Sequence, residues 1–447
     1  MPFLLVDNRP PRARLGKPAL RVRPACRNSQ CRFLRVTVVL LLLFSLITQT
    51  GCKPREIARP TLQMDAESKF WVRVLLLDNV TACKLKTNSP VNIITADLNA
   101  HTQPSYSRLG PFRAPTRLAL SAGKLTIAGK PPGAAETTVS PDKPHIFNLN
   151  GNDYRGKLKL IVNPDGQSFD VINLVPLEPY LAGVVGAEMP DYWEPEALKA
   201  QAIVARTYCL YIKNRFGRNR EWDLSRTQAS QVYLGLKGES AQIWHAVNNT
   251  SGQVLLCEHV DRSKDLFPTY YSSVCGGHTE PSSNVFGDSF GPLVGVVCPY
   301  CKGVAKLGLF YWPMAKFDRT MVTTTLLGKY PKLEHLGEIA HIVAAERSDY
   351  GEFSRLTRIE LIGSTGKSDF LRAEDLRLTI DPTGRKLKSA ICHIVKWGDQ
   401  WAFVSGRGWG HGVGMCQCGA EGMARKGKTA EQILSHYYPG SWIERVY

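Results

Sequence analysis

Between Pro195 and Phe216 the side chains Leu198, Ala202, Ala205, Cys209, Ile212 and Phe216 recur at alternating steps of four and three. That period belongs to one face of an α-helix. Pro195 suits its first turn, where a missing N–H costs nothing. So regular a stripe has to be buried, so the rest of the chain must supply a packed surface for it. Cys209 on the stripe then reads as a core thiol. A shorter helix precedes it. Pro179 opens that helix, and Leu181, Val184 and Val185 share one face. Glu188 continues the face one turn later, and Pro190 closes the segment.

The flanking sequence changes period. Residues 71–77 and 91–94 read as strands, and Pro and Gly break 105–150 into short strands and turns. Residues 157–174 form a hairpin around Asn163-Pro-Asp-Gly166. Strand character returns over 253–274, and Thr429-Ala-Glu-Gln432 is a capping box for a last helix through Tyr438. No repeat of 20–50 residues is apparent. The expected fold is α+β, with a strand-rich region over 53–155 and a mixed region over 156–447.

Residues 1–52 read as a leader. A basic, Pro-rich stretch precedes the largely apolar run Val36–Ile47, followed by Thr48-Gln-Thr-Gly-Cys52. The run is short for a bilayer span, and no apolar run of 18 exists elsewhere. Gly51-Cys52 resembles a bacterial lipoprotein processing site, although Gln49 stands where an aliphatic is preferred. Simple cleavage, an uncleaved anchor and a later true start are the other readings. All these readings put the bulk of the chain in the cell envelope, outside the cytoplasm, with any membrane contact made through the N-terminal segment alone. The leader also inflates the formal charge of +17: residues 37–447 hold 47 basic against 38 acidic side chains. That modest excess suits an anionic envelope. No basic stripe interleaved with aromatics appears, so nucleic acid is not an expected partner.

Glu188 is the first candidate for chemistry. On an otherwise apolar face its charge is costly, and burial raises a carboxyl pKa toward the range of a general acid. By spacing alone, a helix-end Glu facing water is the commoner outcome. The surrounding residues add more. Tyr180-Leu-Ala-Gly-Val-Val-Gly-Ala-Glu-Met-Pro190 and Glu196-Ala-Leu-Lys-Ala-Gln-Ala-Ile-Val-Ala-Arg-Thr-Tyr208 closely resemble the stage II sporulation protein D (SpoIID/LytB) family. So do Ser230-Gln-Val-Tyr233, Tyr271-Ser-Ser-Val-Cys-Gly-Gly-His-Thr-Glu280 and Gly406-Arg-Gly-Trp-Gly-His-Gly-Val-Gly-Met-Cys-Gln417. These blocks occur in the family's order over roughly 150–447.

The resemblance implies a mixed region built around a cleft and a peptidoglycan lytic transglycosylase, with Glu188 as catalytic acid. The glycan strand would be cut at the MurNAc–GlcNAc bond. The muramic acid's own 6-hydroxyl would be the nucleophile, so a second carboxylate is dispensable. Other family members are described as enhancers of a cell-wall amidase, which implies an amidase partner and no catalysis here.

Nine cysteines lie beyond the leader, an odd number and no disulfide framework. Cys275-x2-His278 and Cys298-x2-Cys301 have the spacing of two half-sites of a closed, structural Zn²⁺ centre. The resemblance implies zinc near the cleft in some family members. A disulfide from Cys298 to Cys301 or Cys275 is the competing reading in an exported chain. Cys298-Pro-Tyr-Cys301 also has the form of a redox dithiol, but no glutaredoxin-like unit surrounds it. His278-Thr-Glu280 with Cys298 and Cys301 mimics a zinc deaminase signature, yet Val297 stands where that signature has Pro.

Glycines at 406, 408, 410, 412, 414 and 419 are too dense for a regular element and read as a tight loop entering a small-residue helix. His411 and Gln417 are its groups able to bond sugar hydroxyls, unless the loop is merely a structural crossing. Cys416 and Cys418 read as packing residues, with any approach of Cys416 to the metal site left open. Arg206 is a candidate to orient Glu188 or a substrate carboxylate, against a solvated helix charge. Tyr233 and Trp193 are candidates to stack on sugar rings, against burial in the core.

Overall fold

The computed structural model describes residues 70–96, 105–130, 136–258 and 263–447. The leader, with Cys26, Cys31 and Cys52, lies outside the described residues. The fold is α+β, and its first part is strand-rich, as expected.

Strand β1 (Trp71–Val80) pairs antiparallel with β2 (Phe169–Pro176), with Trp71 opposite Pro176 and Val74 opposite Asn173. Lys157–Val162 pairs with β2 on its other edge, closing the hairpin around Gly166, whose φ of 67° only glycine adopts without strain. These strands belong to a seven-stranded sheet that takes strands from both sides of residue 155. A five-stranded sheet accompanies it, built between Ala82 and Arg155. Alternate residues are buried, as in Lys157–Val162 with Leu158 and Leu160 inside.

The chain leaves β2 directly into helix α1 (Leu177–Glu188). Nine of its twelve residues are buried, so this helix lies in the core and its single predicted face understates it. Met189 is extended and Pro190 cannot continue the helix, which leaves Glu188 as its last residue. Helix α2 (Pro195–Phe216) has Pro at its first position. Leu198, Ala202, Ala205 and Cys209 are buried as expected, but burial extends round the helix to Gln201, Arg206 and Thr207, and Phe216 is exposed.

Further on come the two-residue strand β3 (Tyr271–Ser272), strand β4 (Ser354–Gly363), helix α3 (Ala373–Ile380), the two-residue strand β5 (Met415–Cys416) and helix α4 (Gln417–Ala424). Strands β3 and β5 pair in parallel, Tyr271 with Met415 and Ser272 with Cys416. Residues 311–404 were not assigned from the sequence. They form a lobe of two three-stranded antiparallel sheets, with α3 and the helix Arg319–Lys329. The lobe has its own core, including Phe317, Leu326, Ile359, Leu361, Leu376, Trp401 and Phe403. The capping box at Thr429 and Gln432 is present and opens a helix that ends at Tyr437. Among the described residues no helix is long and apolar enough to cross a membrane.

Candidate active site

A cleft of about 350 Å³ opens where α1, the 228–232 segment, β3, the glycine-rich loop and α3 meet. Glu188, Tyr271, Trp409, His411 and Gln417 line it from the helical body, and Glu374, Arg377 and Thr383 from the lobe.

Glu188 sits at the C-terminal end of α1. Burial pushes its carboxyl up to about 7. The helix end adds partial negative charge, which acts in the same direction. Its partners are neutral: the Val232 N–H donates to Oε1 at 3.2 Å, the Gln417 amide to Oε2 at 3.4 Å, and the Tyr271 phenol is hydrogen-bonded to it. Behind them Tyr180 donates to the Gln231 carbonyl at 3.1 Å, and the Gln231 amide donates to the Tyr271 oxygen at 3.3 Å. The segment carrying Val232 can lie this close because α1 has glycines facing it. A Cβ on Gly183 would meet the Tyr233 ring at 2.5 Å, and one on Gly186 would meet the Gly238 carbonyl at 1.8 Å.

The other carboxylate in the cleft is already engaged. Burial works to raise Glu374, but the Arg377 guanidinium, bonded to both its oxygens at 2.9 and 2.5 Å, holds it below the usual range. His411 is pushed down to about 4 by burial, so it is neutral near pH 7. Val413 N–H donates to its Nδ1 at 3.0 Å, which leaves the proton on Nε2.

Glu188, His411 and Gln417 thus meet in one cleft. Arg206 and Tyr233 do not join them. Arg206 is fully buried and pairs with Glu178 through Nε at 3.0 Å and Nη2 at 2.6 Å, while Nη1 donates to the Gln253 carbonyl. A guanidinium inside a core needs such a partner, and this one fastens the start of α1 to α2. Tyr233 is buried, donates to Asn173 at 3.1 Å and packs on Tyr180 and Tyr154, filling the space that Gly183 leaves. Trp193 is likewise a core residue.

The expected metal ligands are also regrouped. Cys275, Cys298 and Cys301 come together, but His278 stands apart. Its Nδ1 contacts the Thr279 carbonyl at 2.6 Å and its ring stacks on Tyr350 at 4.0 Å. The fourth place belongs to Cys416, and the four sulfurs lie within 4.8 Å of one another, all buried. All nine described cysteines are free thiols. Glu280 is fully buried and accepts from Asn284 at 2.7 Å and Tyr350 at 2.6 Å. Tyr271 and the Val232 amide were missed as Glu188 partners, and Gln231 as the side chain behind Tyr271, although all three fall inside the quoted motif blocks.

Fold and site together define an α+β protein with one protonatable, neutrally hydrogen-bonded carboxyl in a cleft between a helical body and a lobe. Comparison with known proteins gives the family. The model described as Stage II sporulation protein matches residues 165–257. An uncharacterised protein of Brachyspira hyodysenteriae is 33% identical over 299 residues, covering 66% of this chain and 73% of the relative. Stage II sporulation protein D of Bacillus subtilis is 30% identical over 288 residues, covering 61% of this chain and 75% of that protein. The amidase enhancer of Bacillus subtilis is 26% identical over 366 residues, covering 73% of this chain and 49% of that protein. The chain belongs to the stage II sporulation protein D family.

Proposed function

We propose that the protein acts on the bacterial cell wall as a peptidoglycan lytic transglycosylase, with Glu188 as general acid and then base. The observation that carries this reading is the Glu188 carboxyl, raised to about 7 in a cleft whose other carboxylate is tied to Arg377. A hydrolase of the usual kind needs two working carboxyls. A site with one free carboxyl suits an intramolecular nucleophile supplied by the substrate.

The protonated Glu188 donates its proton to the glycosidic oxygen as the C1–O bond of MurNAc breaks. The leaving GlcNAc departs with a free hydroxyl. The MurNAc 6-hydroxyl attacks the oxocarbenium-like C1, and the Glu188 carboxylate accepts the proton it loses. The product is a 1,6-anhydro end, no water is consumed, and Glu188 returns to its starting form. Gln417, Tyr271 and the Val232 N–H hold the carboxyl in place throughout. Neutral His411 lines the cleft and gives its Nε2–H to the Tyr271 backbone carbonyl, so it supports the strand that carries Tyr271 and presents its ring to the substrate.

An address outside the cytoplasm fits this substrate, and the 1–52 segment supports export with lipid attachment at Cys52. Mass spectrometry of purified glycan strands after incubation tests the reading: 1,6-anhydro-MurNAc ends are expected, and their absence removes it. The similarity to the amidase enhancer supports a second reading, in which the cleft binds glycan and the protein activates an amidase. In that case Glu188→Gln leaves activity in an amidase assay unchanged.

A further inference from the structure

Cys275, Cys298, Cys301 and Cys416 are drawn from three separate stretches of chain. Cys275 and Cys301 have sulfurs 3.8 Å apart. Four sulfurs bound tetrahedrally to one zinc at about 2.3 Å are about 3.8 Å from each other. Thiolates this close converge on a single ion and leave no room for a cluster of several irons. The group also has the hydrogen bonds that thiolate ligands require from their surroundings. The Cys275 N–H donates to the Cys416 sulfur at 3.2 Å, and the Tyr437 hydroxyl lies 3.1 Å from the Cys298 sulfur. Space is kept for it: a Cβ on Gly419 would come within 2.6 Å of the Cys298 sulfur. Cys83, Cys209 and Cys392 are buried as well, and none joins such a group. Burial of cysteine in the core therefore does not by itself bring four sulfurs together.

The surroundings of the group connect it to the cleft. Cys416 ends β5, and the next residue, Gln417, donates to Glu188. Tyr271 begins β3, pairs with Met415 on β5, and lies four residues ahead of Cys275. One of the two short strands carries Tyr271 and the other leads directly into Gln417, and both adjoin the thiol group. A parallel pair of two residues each is held by few hydrogen bonds, so a cross-link beyond its end fixes its register.

We propose that Cys275, Cys298, Cys301 and Cys416 hold one Zn²⁺ and that this ion positions Gln417 and Tyr271 against Glu188. Four protein ligands close the ion to water and substrate, so it supplies a cross-link and takes no step in the reaction. Cys275 and Cys416 are positioning residues. The metal half of the inference stands on the thiol geometry alone; the positioning half rests on Glu188 being the acid.

Metal analysis of the full chain, purified without chelator, tests the first half. One equivalent of zinc is expected, and cobalt-substituted protein should show intense thiolate-to-cobalt charge transfer. Cys416→Ser should lose the metal, whereas His278→Ala and Cys418→Ser keep it, the latter a control for disturbing α4. Glu188→Gln should keep full metal while losing activity, so failure of the catalytic reading stays separable from failure of the zinc site. Metal-free protein with these four cysteines oxidised in peptide maps overturns the site. So does metal retained in Cys416→Ser but lost in His278→Ala. For the second half, Cys416→Ser that remains folded by circular dichroism should lose about tenfold to a hundredfold in kcat with KM nearly unchanged. Unchanged kcat in metal-free protein rejects the positioning role.

Discussion

Gln417 and Glu188 lie 229 residues apart in the chain, yet the amide of one donates to the carboxyl of the other at 3.4 Å. The contact joins the last residue of α1 to the first residue of α4. Assembly of the site therefore depends on the glycine-rich loop returning the chain to α1.

Glu188→Gln retains the shape of the side chain and removes its transferable proton. Formation of 1,6-anhydro ends should fall by about 10²–10⁴-fold, the usual worth of a positioned acid. Product analysis by mass spectrometry checks this, alongside a melting curve at pH 8 showing the variant at least as stable as the parent.

The same carboxyl sets a pH dependence. Its folded pKa of about 7 stands above the ordinary 4.5. Below the ordinary value both folded and unfolded chains hold the proton, and Glu188 costs nothing. As pH rises toward 7 the unfolded chain loses the proton first, so stability declines, by up to about 3 kcal/mol once the folded carboxyl ionises too. Urea titrations at pH 5 and 8 should show Glu188→Gln gaining stability relative to the parent as pH rises from 5 to 8, by up to that amount. Activity should fall on the alkaline side of about pH 7. Folded His411, held near 4, does not titrate between pH 5 and 9 and leaves the activity profile to Glu188. Its unfolded imidazole protonates below about 6.5, so it contributes stability above that pH that is lost toward pH 5, equally in parent and variant.

Gly186→Ala places a methyl group where the Gly238 carbonyl lies. The 232–238 segment has to move off α1, taking the Val232 N–H with it. A loss of about 1–3 kcal/mol is expected in denaturant melts, together with lower activity in the folded fraction.

Arg206→Met should destabilise the fold by about 3–5 kcal/mol, because the Glu178 carboxylate loses its buried partner. KM for glycan strands should stay within about twofold of the parent, since Arg206 does not line the cleft. A large rise in KM without loss of stability contradicts this placement.

Growth with labelled fatty acid should mark the mature chain, and Cys52→Ala should abolish the label. A mature chain that carries no lipid leaves a cleaved signal or a simple anchor.

Helices α1 and α2 and the helix after Thr429 were legible because their signals are local. The four-and-three stripe, Pro195, Pro190 and the Thr429–Gln432 box each act within a turn or two of themselves. Glu188 stood out as an acid on an apolar face, but spacing alone favoured a helix end facing water, and the resemblance of the surrounding motif singled it out. Arg206 and Tyr233 were misplaced because their motif neighbours suggested the cleft, whereas burial turned one to Glu178 and the other to Asn173. His278 fitted a spacing rule for ligands, but such a rule cannot see a thiol 141 residues away, and Cys416 approaches Cys275 only through the pairing of β3 with β5. The 311–404 lobe escaped notice because its strands, such as Ile339–Asp349 with only two buried residues, alternate weakly in sequence.

That lobe carries a consequence for how such a protein can diversify. The cleft wall formed by α3 grows from a core that is its own, built around Leu376, Ile359 and Phe403, while the acid and its three partners come from elsewhere in the chain. Selection can therefore reshape the jaw and change how bulky a decorated polymer is admitted, with the acid and its partners inherited unaltered.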